Sequence, residues 1–237
     1  MTSHTPKPIP NHERLIFALD VPDLDQAQQL VHTLGDSVSF YKLGLEFFLS
    51  GHYFELADTL KAQGKKIFAD LKLFDIPPTV GRAVAQLARR DVDFVTVHGN
   101  DAMLKAAVDH AQGMGVLAVT ALTSLDRGDL DDLGFDCDIE ALVLSRAKRA
   151  LEIGCRGVIS SGLEVSALRA HVSDALTVIC PGIRPVDNVD DQKRTMTATE
   201  AFSAGADYIV VGRPIRDAAD PRQAAESLQS EIDLFFN

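Results

Sequence analysis

An aspartate and a lysine stand one residue apart in the stretch Asp70-Leu71-Lys72. A carboxylate and an ammonium group held side by side can tune each other's pKa, stabilise a developing charge and transfer a proton. An isolated Asp–Lys pair of this kind is more often a solvated ion pair on the surface. Asp20 and Lys42, which end other apolar runs, supply a second acid and a second amine. If all four meet, catalysis explains them better than stability, because buried charges are costly to desolvate.

Further candidates lie in turn segments, where two interpretations compete. Asp75 lies beyond the run that ends at Lys72, so the pattern does not place its side chain. Two prolines then fix a rigid turn before Thr79, which suits either a helix cap or a ligand contact. Thr123 and Ser124 follow another apolar run and can either bond a polar ring or cap a turn.

Two segments late in the chain have the composition of an anion site. Pro181 and Arg184 open a long irregular stretch that includes Gln192, and Gly212 directly precedes Arg213. Glycine permits close approach to the backbone, and a guanidinium group binds phosphate through two parallel hydrogen bonds. Long irregular loops in compact domains are usually functional or disordered. We expect a phosphate site here, with a solvated surface loop as the alternative.

The elements that must carry these residues alternate regularly along the chain. Short apolar runs predict eight strands, at 15–20, 39–44, 66–72, 94–98, 115–122, 157–161, 177–180 and 208–212. Amphipathic stretches predict helices at 24–34, 46–63, 79–90, 102–111, 139–153, 164–171 and 222–236. This alternation is typical of an α/β fold of the (β/α)8 TIM-barrel class. A doubly wound sheet fits less well, because it usually has about five or six strands and a GxGxxG turn after the first.

A barrel of this kind predicts where the charged residues meet. Side chains alternate between the two faces of a strand, so Asp70 and Lys72 share a face with Phe68. By the same count Asp20 and Lys42 point toward the barrel axis. Active sites of this fold lie at the C-terminal ends of the strands, so we expect all four charges at one mouth.

Composition narrows the classes of function. The 237 residues are interpreted as one domain in which residues 1–13 form a polar arm with a frayed start. With 23 Lys+Arg against 34 Asp+Glu, the net charge of −11 argues against a nucleic-acid-binding surface. No apolar run approaches the roughly 20 residues of a membrane span, and the start lacks a signal core. We therefore expect a cytoplasmic protein with neither a nucleic-acid nor a membrane partner.

Cysteines and histidines give no sign of a metal site or a disulfide framework. The three cysteines are widely spaced and form no CxxC pair, and the seven histidines lack HxH or HExxH spacing. His98, at the end of a predicted strand, is interpreted as a packed or hydrogen-bonded residue. We expect no metal site.

Taken together, these segments resemble the orotidine 5′-monophosphate decarboxylase family over nearly the whole chain, from Leu15 to about Leu228. The matching segments are Ala18-Leu19-Asp20, Tyr41-Lys42-Leu43-Gly44, Asp70-Leu71-Lys72-Leu73-Phe74-Asp75-Ile76-Pro77, Leu122-Thr123-Ser124, Pro181-Gly182-Ile183-Arg184-Pro185, Asp191-Gln192 and Val211-Gly212-Arg213-Pro214. The DxKxxDIP segment is the most specific of them.

The resemblance implies a TIM barrel, usually a homodimer, that converts orotidine 5′-monophosphate to UMP and CO₂ without a cofactor. Lys72 would donate a proton to C6, and Asp70 would lie beside the substrate carboxylate. Lys42 and Asp75 would complete the charged array, with Asp75 and Thr79 reaching into the neighbouring subunit's site. The other implied ligand contacts are Asp20 and Lys42 for the ribose hydroxyls, Thr123 or Ser124 for the pyrimidine, and Arg184, Gln192, Gly212 and Arg213, with Pro181 beside them, for the phosphate.

Two positions depart from the family pattern, and two other functions stay open. Phe74 stands where many members have histidine, and Pro78 stands where many have asparagine; these changes bear on the packing of the turn and on the subunit contact, not on the charged array. Magnesium-dependent sugar-phosphate decarboxylases or lyases of the same superfamily share DxKxxD, but they have an acid where this chain has Lys42. A non-catalytic nucleotide-binding barrel would bind UMP without turning over a substrate.

Overall fold

The computed structural model describes residues 5–184 and 196–237. Its strands are β1 (Leu15–Ala18), β2 (Phe40–Gly44), β3 (Lys66–Leu73), β4 (Phe94–His98), β5 (Gly115–Val119), β6 (Gly157–Ile159), β7 (Thr177–Cys180) and β8 (Tyr208–Val211). The strands are parallel, lie in chain order, and close where β8 pairs with β1. The predicted TIM-barrel class is therefore confirmed.

Helices follow the strands around the outside of the barrel. They are α1 (Leu24–Leu34), α2 (Leu45–Leu49), α3 (Tyr53–Ala62), α4 (Pro77–Ala88), α5 (Asp101–His110), α6 (Arg127–Asp132), α7 (Ile139–Ile153), α8 (Val165–His171), α9 (Ala198–Ala204), α10 (Arg213–Arg216) and α11 (Pro221–Phe236). Local signals set their ends: Asp23 accepts from the N–H of Gln26 at the start of α1, and Gly154 ends α7 with a φ of 93°. In the part of the chain that the structure describes, no helix combines the length and apolar character needed to cross a bilayer.

Two predictions about individual helices are wrong. The stretch 46–63 forms two helices, α2 and α3, because the chain turns between them at Gly51, whose φ of 87° is left-handed. Thr79 does not cap α4, since that helix begins at Pro77 with Ile76 at the cap and Thr79 inside the first turn. Proline favours the first helical position because its fixed φ is already helical.

Alternating strand residues form two apolar layers, one inside the barrel and one beneath the helices. The axial layer consists of Ile16, Ala18, Phe40, Phe68, Leu117, Ile179, Tyr208 and Val210. Ile67 and Ala69 of β3 belong to the outer layer, as the alternation predicts. Burial of these two apolar layers is the main contribution to the stability of the fold. The polar side chains of the site therefore lie at the ends of the strands.

β3 departs from regular pairing near its end. The β4 partners of Ala69 and Leu73 are only two residues apart, so three residues of β3 stand opposite the single residue Thr96. Lys72 lies in this bulge with a φ of 46°, a left-handed conformation that is strained for any residue but glycine. Bulges of this type redirect side chains at the rims of barrels.

The N-terminal arm covers the opposite end of the barrel. Ile9 packs against the axial layer, and Lys7 Nζ lies 2.8 Å from the carboxylate of Asp207. Arg169 pairs with the same carboxylate at 2.8 Å, and Asp207 is only 1% exposed. The expectation of a frayed start is wrong for these arm residues, because a buried carboxylate needs cationic partners and the arm supplies one.

Candidate active site

A cavity of about 240 Å³ opens at the C-terminal ends of the strands. Nine residues predicted from the sequence line it: Asp20, Lys42, Asp70, Lys72, Thr123, Pro181, Arg184, Gly212 and Arg213. Asp75, Thr79 and Ser124 are not part of its wall, and Gln192 lies outside the described residues. The axial residues Phe68 and Val210 contribute apolar surface to the same cavity.

Two lysines and two aspartates form a continuous array in this cavity. Lys72 Nζ lies 2.9 Å from Oδ1 of Asp70, and Lys42 Nζ lies 3.4 Å from Oδ2 of the same carboxylate. Lys42 Nζ also donates to Oδ1 of Asp20 at 3.0 Å. The signs alternate along the row Asp20, Lys42, Asp70, Lys72. Each charge therefore has an opposite neighbour, which is what partly buried charges require.

Burial and neighbouring charges oppose each other in this array. The side chains of Lys42 and Asp70 are 11% and 13% exposed, whereas Lys72 is 32% exposed. Burial lowers the pKa of Lys42, but Asp70 and Asp20 outweigh it and raise that pKa overall. Burial raises the pKa of Asp70, but the two lysines outweigh it and hold that pKa below its usual value. Asp70 and Lys42 are thus charged at neutral pH, and Lys72 is the more accessible of the two ammonium groups.

Neighbouring strands bring the array together. Ala18 of β1 stands opposite Lys42 of β2, and Gly44 of β2 stands opposite Asp70 of β3. A Cβ atom on Gly44 would lie 3.0 Å from Oδ1 of Asp20 and 3.4 Å from Nζ of Lys42. Gly44 therefore provides the space in which these two side chains meet.

A second wall of the cavity carries arginines and backbone groups. Arg184 follows β7 and is 6% exposed, and Arg213 follows β8. A Cβ atom on Gly212 would lie 3.3 Å from that of Ala18, so a larger residue would crowd β1. Guanidinium groups beside accessible backbone suit a phosphate group. This wall can bind an anion, while the array lies in the same cavity.

A short backbone bridge fixes Arg184 at the cavity wall. Ile183 and Met196 form an isolated parallel bridge. The N–H of Arg184 donates to the carbonyl of Met196 at 3.0 Å, and the N–H of Met196 donates to the carbonyl of Gly182 at 3.4 Å. We call this pair of bonds the 183–196 bridge. It holds the two ends of the intervening segment together.

Three predicted site residues lie away from the cavity wall of their own chain. Asp75 is exposed, and its carboxylate accepts from the N–H of Ile76 at 2.6 Å. Thr79 is half-buried in the first turn of α4. Ser124 is exposed, whereas the adjacent Thr123 lines the cavity. The geometry favours Thr123 over Ser124 as a ligand contact, and it leaves Asp75 and Thr79 outside.

Two residues that shape the site were not predicted from the sequence. The hydroxyl of Thr96 donates to Oδ1 of Asp70 at 2.9 Å and accepts from the N–H of Lys72 at 2.9 Å. Arg216 lines the cavity and donates to the backbone carbonyl of Asp20 at 2.7 Å. Strand alternation in β4 and the helical period in α10 were signals that pointed to these positions.

Among the described residues there is neither a cluster of metal ligands nor a reactive buried thiol. Within 5–184 and 196–237, no three His, Cys, Asp or Glu side chains are grouped so that they could hold a metal ion. The Lys42 ammonium lies between the carboxylates of Asp20 and Asp70, where it would repel a second cation. Burial raises the pKa of Cys155 and of Cys180 to about 12, so neither supplies a thiolate at neutral pH.

The fold and the site together define a class of protein. It is a (β/α)8 barrel with an acid–base array at its mouth and arginines after β7 and β8, where this fold commonly holds a phosphate group. The chain belongs to the orotidine 5'-phosphate decarboxylase / HUMPS family, whose family model matches residues 13–228.

Individual relatives agree with this assignment. The chain is 63% identical over 232 residues to the orotidine 5'-phosphate decarboxylase of Methylococcus capsulatus, with 97% of this chain and 96% of that protein covered. It is 48% identical over 233 residues to the protein of that name from Stenotrophomonas maltophilia, with 97% of each covered. The crystal structure of orotidine 5'-phosphate decarboxylase from Lactobacillus acidophilus superposes with a TM-score of 0.82 at 36% identity, covering 93% of this chain and 99% of that one.

Proposed function

We propose that this protein decarboxylates orotidine 5′-monophosphate to UMP and CO₂ in pyrimidine biosynthesis. The observation that carries the proposal is the array Asp20–Lys42–Asp70–Lys72 in one cavity with Arg184 and Arg213. The substrate needs both ends of this cavity, because it carries a carboxylate at the reacting carbon and a phosphate at the other end. Relatives that match almost the entire chain carry the corresponding name.

The chemical step depends on Lys72 and Asp70. Breaking the bond between C6 and the carboxyl group releases CO₂ and leaves the electron pair on C6. The Lys72 ammonium stabilises that charge and then gives C6 a proton, so Lys72 must regain a proton from water before the next turnover. Asp70 lies beside the leaving carboxylate and orients Lys72 through their 2.9 Å contact. The array thus supplies the charge stabilisation that a cofactor supplies in many other decarboxylases.

Binding is divided among the remaining residues of the cavity. Asp20 and Lys42 hold the ribose hydroxyls, and Thr123 contacts the pyrimidine. The phosphate is held by Arg184, Gln192, Gly212 and Arg213, with Pro181 beside them. These contacts with the phosphate, far from the reacting carbon, supply binding energy that orients C6 against Lys72.

A homodimer in which Asp75 and Thr79 enter the partner's cavity completes the proposal. Asp75 is flanked by Phe74 and Ile76, which are 72% and 64% exposed, so a self-complementary contact there would bury apolar surface. Subunit mixing tests it: Lys72→Ala and Asp75→Asn proteins, each nearly inactive, should regain activity on exchange of subunits. Lack of recovery in a verified mixed dimer would contradict the shared site.

The assay that decides the function uses metal-free protein and orotidine 5′-monophosphate. We expect loss of substrate absorbance and formation of UMP, unchanged by EDTA. Loss of activity in EDTA that magnesium restores would favour the sugar-phosphate lyase chemistry of the same superfamily. Tight binding of UMP with no turnover would leave only a nucleotide-binding barrel. The free thiols of all three cysteines suit the reducing cytoplasm, where we place the reaction.

A further inference from the structure

Thr96 is a buried polar residue in the middle of β4. Its side chain is fully buried, and its neighbours on the same face of β4 are Phe94 and His98. A buried hydroxyl group is unfavourable unless it forms hydrogen bonds. This one forms two, and both go to the array.

The two hydrogen bonds join different parts of the same bulge. The hydroxyl donates to Oδ1 of Asp70 at 2.9 Å, the same oxygen that receives Lys72 Nζ at 2.9 Å. It accepts at 2.9 Å from the backbone N–H of Lys72, which has left the regular ladder between β3 and β4. Thr96 is the single β4 residue opposite the three bulged residues of β3, so its hydroxyl is placed to bond both the backbone and the carboxylate of the bulge.

We propose that Thr96 is a positioning residue for decarboxylation: its hydroxyl holds Lys72 in its left-handed backbone conformation and fixes the Asp70 carboxylate against the Lys72 ammonium. This inference rests on the proposed function. Without the hydroxyl, the strained backbone at Lys72 loses one of its restraints, and Asp70 loses a donor on the oxygen that faces Lys72. The array keeps its charges but loses its fixed geometry.

The test compares Thr96→Val, which replaces the hydroxyl with a methyl group of similar size, with Thr96→Ser, which keeps the hydroxyl. For Thr96→Val we expect kcat to fall about 10- to 100-fold while KM changes less than about threefold, because misplaced reacting groups affect turnover more than phosphate binding. Thr96→Ser should recover kcat to within about threefold of the wild type. Thr177→Val, the same change in a buried threonine at the start of β7, is the control and should keep normal kinetics.

A pH profile separates positioning from a purely structural role. The hydrogen bond that Thr96 donates lowers the pKa of Asp70. Thr96→Val lacks this bond, so the pKa of Asp70 should rise. If kcat falls at low pH because Asp70 becomes protonated, that fall should begin at a higher pH in the variant. Melting temperature and UMP affinity establish that each variant is folded. Normal kcat in Thr96→Val would overturn the inference, and so would equal loss in Thr96→Ser. Absence of decarboxylation in the wild type would instead contradict the proposed function.

Discussion

The Lys72 ammonium lies 2.9 Å from Oδ1 of Asp70. Only Leu71 separates the two residues along β3, and all three lie in the bulge of that strand. Among the array contacts of Asp70, the one with Lys72 is shorter than the one with Lys42, at 2.9 Å against 3.4 Å. Because Lys72 is the more exposed partner, it can reach a ligand without leaving Asp70. Replacing either residue should therefore affect chemistry more than folding.

Lys72→Ala should abolish decarboxylation while binding of UMP largely survives. If Lys72 is the proton donor and stabilises the charge on C6, as we propose, the variant loses both functions and kcat should fall by at least about 10⁴-fold. Steady-state kinetics and a UMP titration measure the two effects. Lys105→Ala, which removes an exposed lysine paired with Asp109, is the control and should be normal. Near-normal turnover in folded Lys72→Ala would refute the role.

Arg213→Ala should weaken both substrate binding and turnover. If Arg213 binds the phosphate, as we propose, its loss should lower kcat/KM roughly 10²- to 10³-fold, with a rise in KM and a fall in kcat. The exposed Arg222, which pairs with Glu226, provides the matched control Arg222→Ala. If Arg213→Ala binds UMP as tightly as the wild type does, the phosphate site lies elsewhere.

Gly44→Ala should disturb the array without removing a charge. The new methyl group would lie 3.0 Å from Asp20 and 3.4 Å from Lys42, so at least one of these side chains must move. We expect kcat/KM to fall about tenfold or more, since small displacements of reacting groups are costly. Gly128→Ala adds the same methyl group in α6, 3.3 Å from the carboxylate of the exposed N-cap residue Asp126, and should be active. An unaffected Gly44→Ala enzyme would show that the array tolerates displacement.

The charges of Asp70 and Lys42 should persist across the physiological pH range. The pKa of Asp70 is held below 3.8, so its stabilising contribution is complete above that value and is lost as pH falls through the lower folded-state pKa. The pKa of Lys42 is held above 10.5, so its contribution is complete below that value and is lost as pH rises through the higher folded-state pKa.

Urea unfolding at several pH values checks the acidic half of this prediction. The difference in unfolding free energy between wild type and Asp70→Asn should be constant from about pH 5 to pH 7 and shrink below about pH 4. Asp25→Asn, at an exposed position in α1, controls for the general effect of losing a carboxylate. A difference that already shrinks between pH 7 and pH 5 would contradict the lowered pKa of Asp70.

Asp207→Ala should destabilise the barrel with little effect on chemistry. It leaves Arg169 and Lys7 without their shared carboxylate at the end of the barrel opposite the cavity, which should cost about 3–5 kcal/mol. Denaturant unfolding measures the loss, and kcat below the melting temperature should stay near normal. Asp233→Ala removes an exposed carboxylate that bonds Asn11 and should cost much less. Equal stability of the two variants would refute the anchoring role.

The sequence predicts the strands well because their signals are local. Buried β-branched runs with turn residues after them mark all eight, and errors occur at the ends: the run 15–20 ends as a strand at Ala18, which leaves Asp20 in the following loop. The split between α2 and α3 was missed because one glycine interrupted an otherwise helical pattern. The pairing of Lys7 with Asp207 joins residues 200 positions apart, which no local pattern reveals.

The site was predictable where strand alternation decides the outcome. Asp70 and Lys72 do share the cavity, but the backbone between them is bulged rather than regular, so alternation alone does not explain their contact. The missing part of the explanation is Thr96, which acts through hydrogen bonds from another strand. Asp75 and Thr79 raise a different problem, because a single chain does not bring them to its own cavity.

The 183–196 bridge also has a consequence for how this barrel can change over evolutionary time. Because Ile183 and Met196 are already joined, the strands on either side do not depend on the length of chain inserted between them. Insertions, deletions or exchange of that segment can therefore be sampled without unfolding β7 or β8. The array residues Lys42, Asp70 and Lys72 lie on β2 and β3, outside that segment, so such changes leave them in place.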